Sequence, residues 1–199
     1  MKKFATAITA LMFLGMLIIM SCNNQNETKP LANGSNVTQD SMIKRGQYLV
    51  TIMGCDDCHS PKKMGPMGPE PDMERRLSGH PAKMPLGNIN PEELKSWMLF
   101  NQNLTAFVGP WGVSYAANLT SDESGIGSWT ERQFIKSLRE GKYKGMDNTR
   151  PLLPPMPWPN FSKATDEDLK AIYAFLKSTK PIENVVPAPI APDRLASLK

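Results

Sequence analysis

Residues 54–60 read GCDDCHS, so Cys55 and Cys58 flank two residues and His59 follows at once. Two thiols and an imidazole this close together can bind a zinc ion, exchange a disulfide or hold a haem. Each of these uses demands a different fold around the motif. The number of cysteines and histidines elsewhere in the chain therefore decides among them.

The first residues of the chain have the pattern of an export signal. They read MKKFATAITALMFLGMLIIMSC, in which two lysines precede an apolar run over residues 4–20 and a small residue stands before Cys22. An apolar run of this length is typical of a signal peptide. The ending IIMSC resembles a bacterial lipobox, which predicts a signal over residues 1–21 and lipidation of the Cys22 thiol. An uncleaved anchor helix is the alternative, and both place the domain outside the cytoplasm and at a membrane.

Cysteine usage then narrows the role of the motif. The chain has three cysteines and two histidines, so a lipidated Cys22 leaves only Cys55 and Cys58 for the domain. A structural zinc ion needs four ligands, and His80 is the only histidine outside the motif. A thiol–disulfide site would require alternating strands and helices, for which the chain shows no pattern. One haem attached through both thiols, with His59 as an iron ligand, uses every residue of the motif.

Length and charge exclude other classes of partner. The chain has 199 residues, enough for one domain with a hydrophobic core. The chain has 23 basic and 19 acidic side chains, and removal of the two lysines of the signal leaves 21 and 19. The mature chain therefore has a net charge near +2, and without an excess of basic residues we expect no nucleic-acid partner.

The composition also predicts how the chain is divided. The polar residues 22–40 predict a flexible tether, residues 41–183 a domain, and the Pro-rich residues 184–199 a tail along the surface.

The hydrophobic periodicity of the domain favours helices. Apolar residues recur at helical spacing over about 42–53, and Gly54 ends that helix. Thr130 and Gln133 have the spacing of a capping box at the start of a second helix. Thr165 is followed by three acidic residues, which suit the first turn of a third helix. No strand ladder is evident, so the expected fold class is all-α.

Residues 60–107 predict a long loop-rich insertion. They are rich in Pro, Gly and Met, a composition typical of loops. Asn90 followed by Pro91 is the pattern of a helix start within this segment. The apolar residues expected to face inward from that helix are Leu94, Trp97, Met98 and Phe100.

A haem iron bound by one histidine needs a sixth ligand unless the site is built for catalysis or gas binding. Met156 lies in RPLLPPMPWPNF, where prolines on both sides restrict the backbone and hold the thioether in place. The alternative is a methionine that fills a gap in the core, which is the commoner role of this residue. His80, in SGHPAK, is the alternative ligand, but it is expected to be a surface or hydrogen-bonding histidine instead.

Three stretches of the chain carry a family resemblance. They read GQYLVTIMGCDDCHSP, GPWGVSYAANLTSDESGIGSWTERQFIKSLREGK and LLPPMPWPNFSKATDEDLKAIYAFLKSTKPIENVVP, and they cover most of residues 46–187. In these stretches the chain resembles the class I c-type cytochromes, and especially the haem domains of cytochrome subunits of bacterial dehydrogenases. Those relatives often carry two or three haem motifs, whereas this chain has one.

The resemblance implies which residues contact the haem. His59 is then the proximal iron ligand and Met156 the distal one. The Pro110 carbonyl is implied to accept a hydrogen bond from the His59 ring, which would fix the ring and raise its basicity. The first and last helices are implied to cross near Gly46 and Tyr173 and close the pocket. The other residues implied to hold or line the haem are Cys55 and Cys58, through thioether bonds, and Asn118.

Function hypotheses of several classes follow from this site. An iron with both axial positions filled can only change oxidation state, which favours electron transfer, and methionine ligation raises its potential. The alternatives are a haem enzyme or gas sensor with an open iron, the electron-accepting cytochrome subunit of a dehydrogenase complex, and a lipoprotein without haem. We expect a lipid-anchored, periplasmic electron carrier that is not an enzyme, with one covalent haem c. Redox proteins are its expected donor and acceptor, and no small-molecule substrate is expected.

Overall fold

The computed structural model describes residues 38–197, and the signal and lipidation predicted for residues 1–21 and Cys22 lie outside this part of the chain. The helices are α1 Gln39–Ile52, α2 Cys55–His59, α3 Glu131–Glu140, α4 Trp158–Phe161 and α5 Asp166–Ser178. The strands are β1 Lys62–Gly65, β2 Gly68–Pro71, β3 Leu99–Phe100, β4 Ala106–Gly109 and β5 Gly112–Tyr115. No helix of the described residues is long and apolar enough to cross a membrane.

The three longer helices begin where their capping residues predict. Thr38 caps α1 through a hydrogen bond from the Ser41 N–H to its side chain. Thr130 and Gln133 form the expected capping box at the start of α3. Thr165 caps α5, whose first turn holds three carboxylates next to the positive end of the helix dipole. Sequence reasoning therefore predicted these starts correctly, except that α1 begins before residue 42.

The core lies where α1 packs against α5. A Cβ atom at Gly46 would lie 1.9 Å from the Ala171 carbonyl oxygen and 2.7 Å from the Phe175 Cβ, so only glycine allows this approach. The crossing implied at Gly46 is thus present, opposite Ala171 and Phe175, while Tyr173 donates a hydrogen bond to the Trp129 carbonyl. The buried residues around the crossing are Leu49, Val50, Leu77, Ile126, Phe134, Leu138, Leu169, Ile172 and Leu176.

The expectation of an all-α fold holds only in part, because two small antiparallel sheets lie between α2 and α3 in the chain. β1 and β2 form a hairpin, and β3, β4 and β5 form a sheet in that order. The hairpin of β4 and β5 turns through two residues, Pro110 and Trp111, and Gly112 has the positive φ of 94° that favours glycine. The chain is therefore helical with a small β component.

The helix expected after Asn90 is also absent from the described structure. Residues Glu93–Lys95 form only a short 3₁₀ turn. Trp97, Met98 and Phe100, expected to face inward, are each 66% exposed. A capping pattern alone did not produce a helix here, since no helical face packs on the core at this point.

The C-terminal segment packs on the sheet. Ile190 exchanges both backbone hydrogen bonds with Val113 of β5, at 2.8 and 3.0 Å. A 3₁₀ helix, Pro192–Ser197, follows. The Asn184 side chain binds the carbonyls of Ser78 and His80. These contacts connect the tail to the segment that follows the cysteine motif.

Candidate haem site

Cys55 and Cys58 lie one turn apart on the short helix α2. Gly54, with a φ of 67°, makes the break between α1 and this helix. Both thiols are free and partly buried. Burial, and next the charge of Asp56, raises the pKa of Cys55 to about 12, and burial also raises the pKa of Cys58. A thiol–disulfide active site needs a lowered thiol pKa, so these two protonated thiols argue against that use.

His59 ends the helix and is buried, with 9% of its surface exposed. Its Nδ1 lies 2.7 Å from the Ala117 carbonyl oxygen, which makes Nδ1–H the donor and leaves Nε2 as the nitrogen with a lone pair. Burial lowers the pKa of His59, and the Ala117 carbonyl partly offsets that effect. The imidazole is therefore neutral and oriented, as an iron ligand must be.

The acceptor for the His59 ring is a correction to the sequence prediction. Pro110, whose carbonyl was expected in this role, lies exposed in the turn between β4 and β5. Ala117, just beyond β5, takes the role instead. A backbone carbonyl carries no mark in the sequence, so residue types alone gave no signal for Ala117.

A closed set of hydrogen bonds holds the segment that contains Ala117. The His80 N–H donates to the Ala116 carbonyl, the Ala116 N–H donates to the Thr105 carbonyl, and the His80 ring nitrogen Nδ1 bonds the Thr105 hydroxyl, each at 2.9 Å. The Gly79 N–H donates to the His59 carbonyl at 2.7 Å. His59 is thus held through its ring and through its main chain by segments that are bonded to each other.

His80 is buried rather than a surface residue, although the expectation that it forms hydrogen bonds is correct. Its ring packs on Tyr115, with ring centroids 4.8 Å apart. Its Nε2 is the buried side-chain nitrogen without a hydrogen-bond partner among the described residues. Burial lowers the pKa of His80, and the Met84 backbone partly offsets the effect. His80 is therefore a neutral interior histidine.

Two cations stabilise the helix that carries the cysteines. Arg76 forms two hydrogen bonds with the carboxylate of Asp56, at 2.9 and 2.7 Å, in a pair whose side chains are about one-fifth exposed. The Lys62 ammonium donates to the carbonyls of Asp56, Asp57 and Ser60, where the helix dipole is negative. Sequence analysis missed both residues, because Arg76 and Lys62 lie outside the motif and the path that brings them back to the helix was not predictable.

Met156 lies between Pro155 and Pro157, half-buried, in the loop before α4. Its side chain and that of Cys55 both pack against the hydrophobic core. The thioether of Met156 and the thiol of Cys55 thus border the same cluster of buried residues. The role of Met156 as an iron ligand stays a prediction.

The Asn118 side chain forms a loop anchor. It donates to the Ser124 hydroxyl and the Ile182 carbonyl, and it accepts from the Thr120 N–H and hydroxyl. These bonds occupy both ends of the buried amide. They fix the chain directly after Ala117, and the predicted contact of Asn118 with the haem edge stays a prediction.

The donors at this site fit a covalently bound haem better than a zinc ion. Among residues 38–197, no group of three or more His, Cys, Asp or Glu side chains is placed to hold a metal ion. Two thiols one turn apart, an imidazole with a free Nε2 and a thioether beside the same core match the attachment points and axial ligands of haem c. His59, Cys55 and Cys58 would attach and bind such a haem.

Replacing Arg76 with methionine should remove a stabilisation that depends on pH. Burial alone would raise the pKa of Asp56, but hydrogen bonds from Arg76 and Ser60 outweigh it and lower the pKa. The pair of Arg76 and Asp56 therefore stabilises the fold above about pH 4, the ordinary pKa of an aspartate. The stabilisation is lost as the pH falls through the lowered pKa of Asp56 in the folded state. Urea unfolding of the holoprotein at pH 7 should show a loss of about 1–3 kcal/mol, shrinking in acid.

Arg75→Met is the matched control for this substitution. Arg75 binds Asp72, but its side chain is 49% exposed, so the variant should lose about 0.5 kcal/mol or less. Equal losses in the two variants would contradict a special role for the Arg76 pair.

Comparison with known proteins agrees with this site. The chain is 31% identical over 145 residues, 72% of its length, to the cytochrome c subunit of a quinone-dependent alcohol dehydrogenase from Gluconobacter oxydans (strain 621H). It is 31% identical over 137 residues, 68% of its length, to the cytochrome c subunit of gluconate 2-dehydrogenase from Pantoea cypripedii. The fructose dehydrogenase cytochrome subunit from Gluconobacter japonicus is 29% identical over 144 residues, 71% of this chain.

These alignments cover 23%, 23% and 22% of the three relatives, so the chain spans about a quarter of the length of the curated relatives it matches. No protein-family model matches the chain. Similarity over most of this chain and the Cys-x-x-Cys-His motif at the site point to the same group of proteins. The homologues of this chain are thus cytochrome c subunits of bacterial dehydrogenases.

Proposed function

We propose that this protein transfers electrons through one haem c, attached to Cys55 and Cys58 and bound axially by His59 and Met156. The observation that carries the proposal is the hydrogen bond between His59 Nδ1 and the Ala117 carbonyl. It fixes the tautomer and the orientation of the imidazole, which a proximal iron ligand requires. The bound haem would supply the one-electron chemistry, while this chain holds it and sets its potential.

Each residue of the motif has a separate task in holding the haem. Cys55 and Cys58 would hold the haem through thioether bonds, each formed by addition of the S–H across one vinyl group. His59 would bind the iron through Nε2, and its Nδ1–H bond to Ala117 would raise the basicity of the ring. Met156 would contribute an uncharged sulfur, which favours the reduced form and raises the potential.

Electron transfer is favoured over a haem enzyme or a gas sensor. Both alternatives need an open iron position, and the enzyme also needs a distal residue that moves a proton. The second histidine of the chain, His80, is fully buried and its Nδ1 is bonded to Thr105. Binding of both His59 and Met156 would leave no open position. The protein is on this proposal a carrier and not a catalyst.

The partners we propose are redox proteins. The relatives are cytochrome subunits of alcohol, gluconate and fructose dehydrogenases. We infer that this chain accepts electrons from a dehydrogenase and passes them to a further redox protein. A single Cys-x-x-Cys-His motif in the sequence supports one haem for this chain.

The lipid anchor is a separate proposal that rests on the sequence IIMSC. We propose that Cys22 carries the lipid and that the domain lies outside the cytoplasm, tethered to the membrane by residues 22–40. Cys22→Ser should abolish incorporation of labelled fatty acid and block the cleavage that depends on it, so the variant should keep residues 1–21 and migrate as the longer precursor on denaturing electrophoresis. Labelled fatty acid in the variant would contradict this assignment.

Replacing both Cys55 and Cys58 with serine should abolish covalent haem. Protein produced with the haem-attachment machinery is separated by denaturing electrophoresis and stained for haem. The wild type should stain and give a reduced-minus-oxidised spectrum of a c-type cytochrome, whereas the double variant should not stain. Cys22→Ser is the control, since it removes a cysteine outside the motif and should keep the stain. Staining of the double variant would refute covalent attachment.

Met156→Ala should open the sixth iron position. The ferric protein should lose the weak far-red band of sulfur ligation, the potential should fall, and the reduced protein should bind carbon monoxide. Covalent haem should remain. Met67→Ala is the matched control, because Met67 is fully exposed on the hairpin of β1 and β2 and its loss should change none of these signals. An unchanged far-red band in the Met156 variant would rule out this ligand.

A further inference from the structure

The loop that carries Met156 has few backbone donors with which to fasten itself. Prolines occupy positions 154, 155, 157 and 159, and each lacks an N–H. The Met156 N–H is used inside the loop, where it donates to the Leu153 carbonyl at 3.3 Å. The Leu152 N–H donates to the Gly141 carbonyl at 2.7 Å and ties the start of the loop to the end of α3. Beyond Leu153 no backbone donor is left for such a bond, so residues 154–157 can be tied to another element only through carbonyls that accept one.

Ser114 on β5 supplies that bond. Its hydroxyl donates to the Pro154 carbonyl at 2.5 Å, two residues before Met156. Among residues 38–197, this is the hydrogen bond that fastens residues 153–156 to another element. Ser114 is itself 6% exposed, so the bond is shielded from competing water.

Trp111 strengthens the same contact from the other side. Its indole N–H donates to the Ser114 hydroxyl at 3.1 Å, so the hydroxyl accepts one bond and donates another. Hydrogen bonds in such a chain polarise one another. The indole lies against Gly109, where a Cβ atom would come within 2.4 Å of the ring. The turn between β4 and β5 thus fixes the direction of the serine O–H.

The geometry points to Ser114 as a positioning residue for the Met156 sulfur. This inference rests on the proposed function, in which Met156 is the distal ligand. β5 runs from Ser114 toward Ala117, which accepts the bond from the proximal His59. Ser114, on β5, thus contacts the loop of Met156, and Ala117, just beyond β5, contacts the ring of His59. Ser114 therefore fixes the position of the Met156 loop relative to the His59 imidazole.

Substitution of Ser114 should leave the Met156 sulfur in place but make its position toward the iron less well defined. In Ser114→Ala we expect a weaker far-red band, a lower potential and partial binding of carbon monoxide by the reduced protein, with covalent haem unchanged. Ser114→Thr keeps a hydroxyl and should restore the signals, whereas Ser114→Val, of similar volume, should not. The threonine and valine variants keep the test valid if the alanine variant does not fold.

Ser137→Ala is the matched control for losing a buried serine hydroxyl. Ser137 is 4% exposed and donates to the Phe134 carbonyl within α3, away from the Met156 loop. It should leave the far-red band unchanged. A full band and no carbon monoxide binding in both Ser114→Ala and Ser114→Val would overturn the inference. If Met156→Ala itself leaves the band intact, the distal-ligand assignment fails, and the role of Ser114 fails with it.

Discussion

The close approach of α1 and α5 at Gly46 is the contact on which the site depends. Because glycine has no Cβ, the carbonyl of Ala171 comes into contact with α1, and the buried cluster forms on both sides of the crossing. α1 leads through Gly54 directly into the helix of Cys55 and Cys58. The position of the cysteine motif is therefore set by helix packing, and the loops complete the site around it.

The helical part of the fold could be predicted from sequence, since its signals are local. The capping box of Thr130 and Gln133 and the cap at Thr165 mark helix starts within four residues. The hairpin of β4 and β5 also has a local signal, a two-residue turn between glycines flanked by aromatic and β-branched residues, which the sequence analysis overlooked. The expectation of an all-α fold failed at that point.

From the sequence, the site could be predicted only where the side chains themselves carry the chemistry. Cys55, Cys58 and His59 are recognisable because their side chains are the donors. The acceptor at Ala117 is a backbone carbonyl, and burial of His80 depends on a bond to Thr105 across 25 positions of the chain. Such partners are set by tertiary structure, so no pattern in the neighbouring sequence reveals them.

The ion pair between Arg45 on α1 and Asp168 on α5 joins residues 123 positions apart. A contact of such large sequence separation closes a long loop, and during synthesis it must wait for the distant partner. The helix crossing that encloses the motif therefore cannot assemble before nearly the whole chain exists. Until then the two thiols stay within reach of other molecules. On the proposal that both thiols hold a haem, a large cofactor would be attached before the core closes around them.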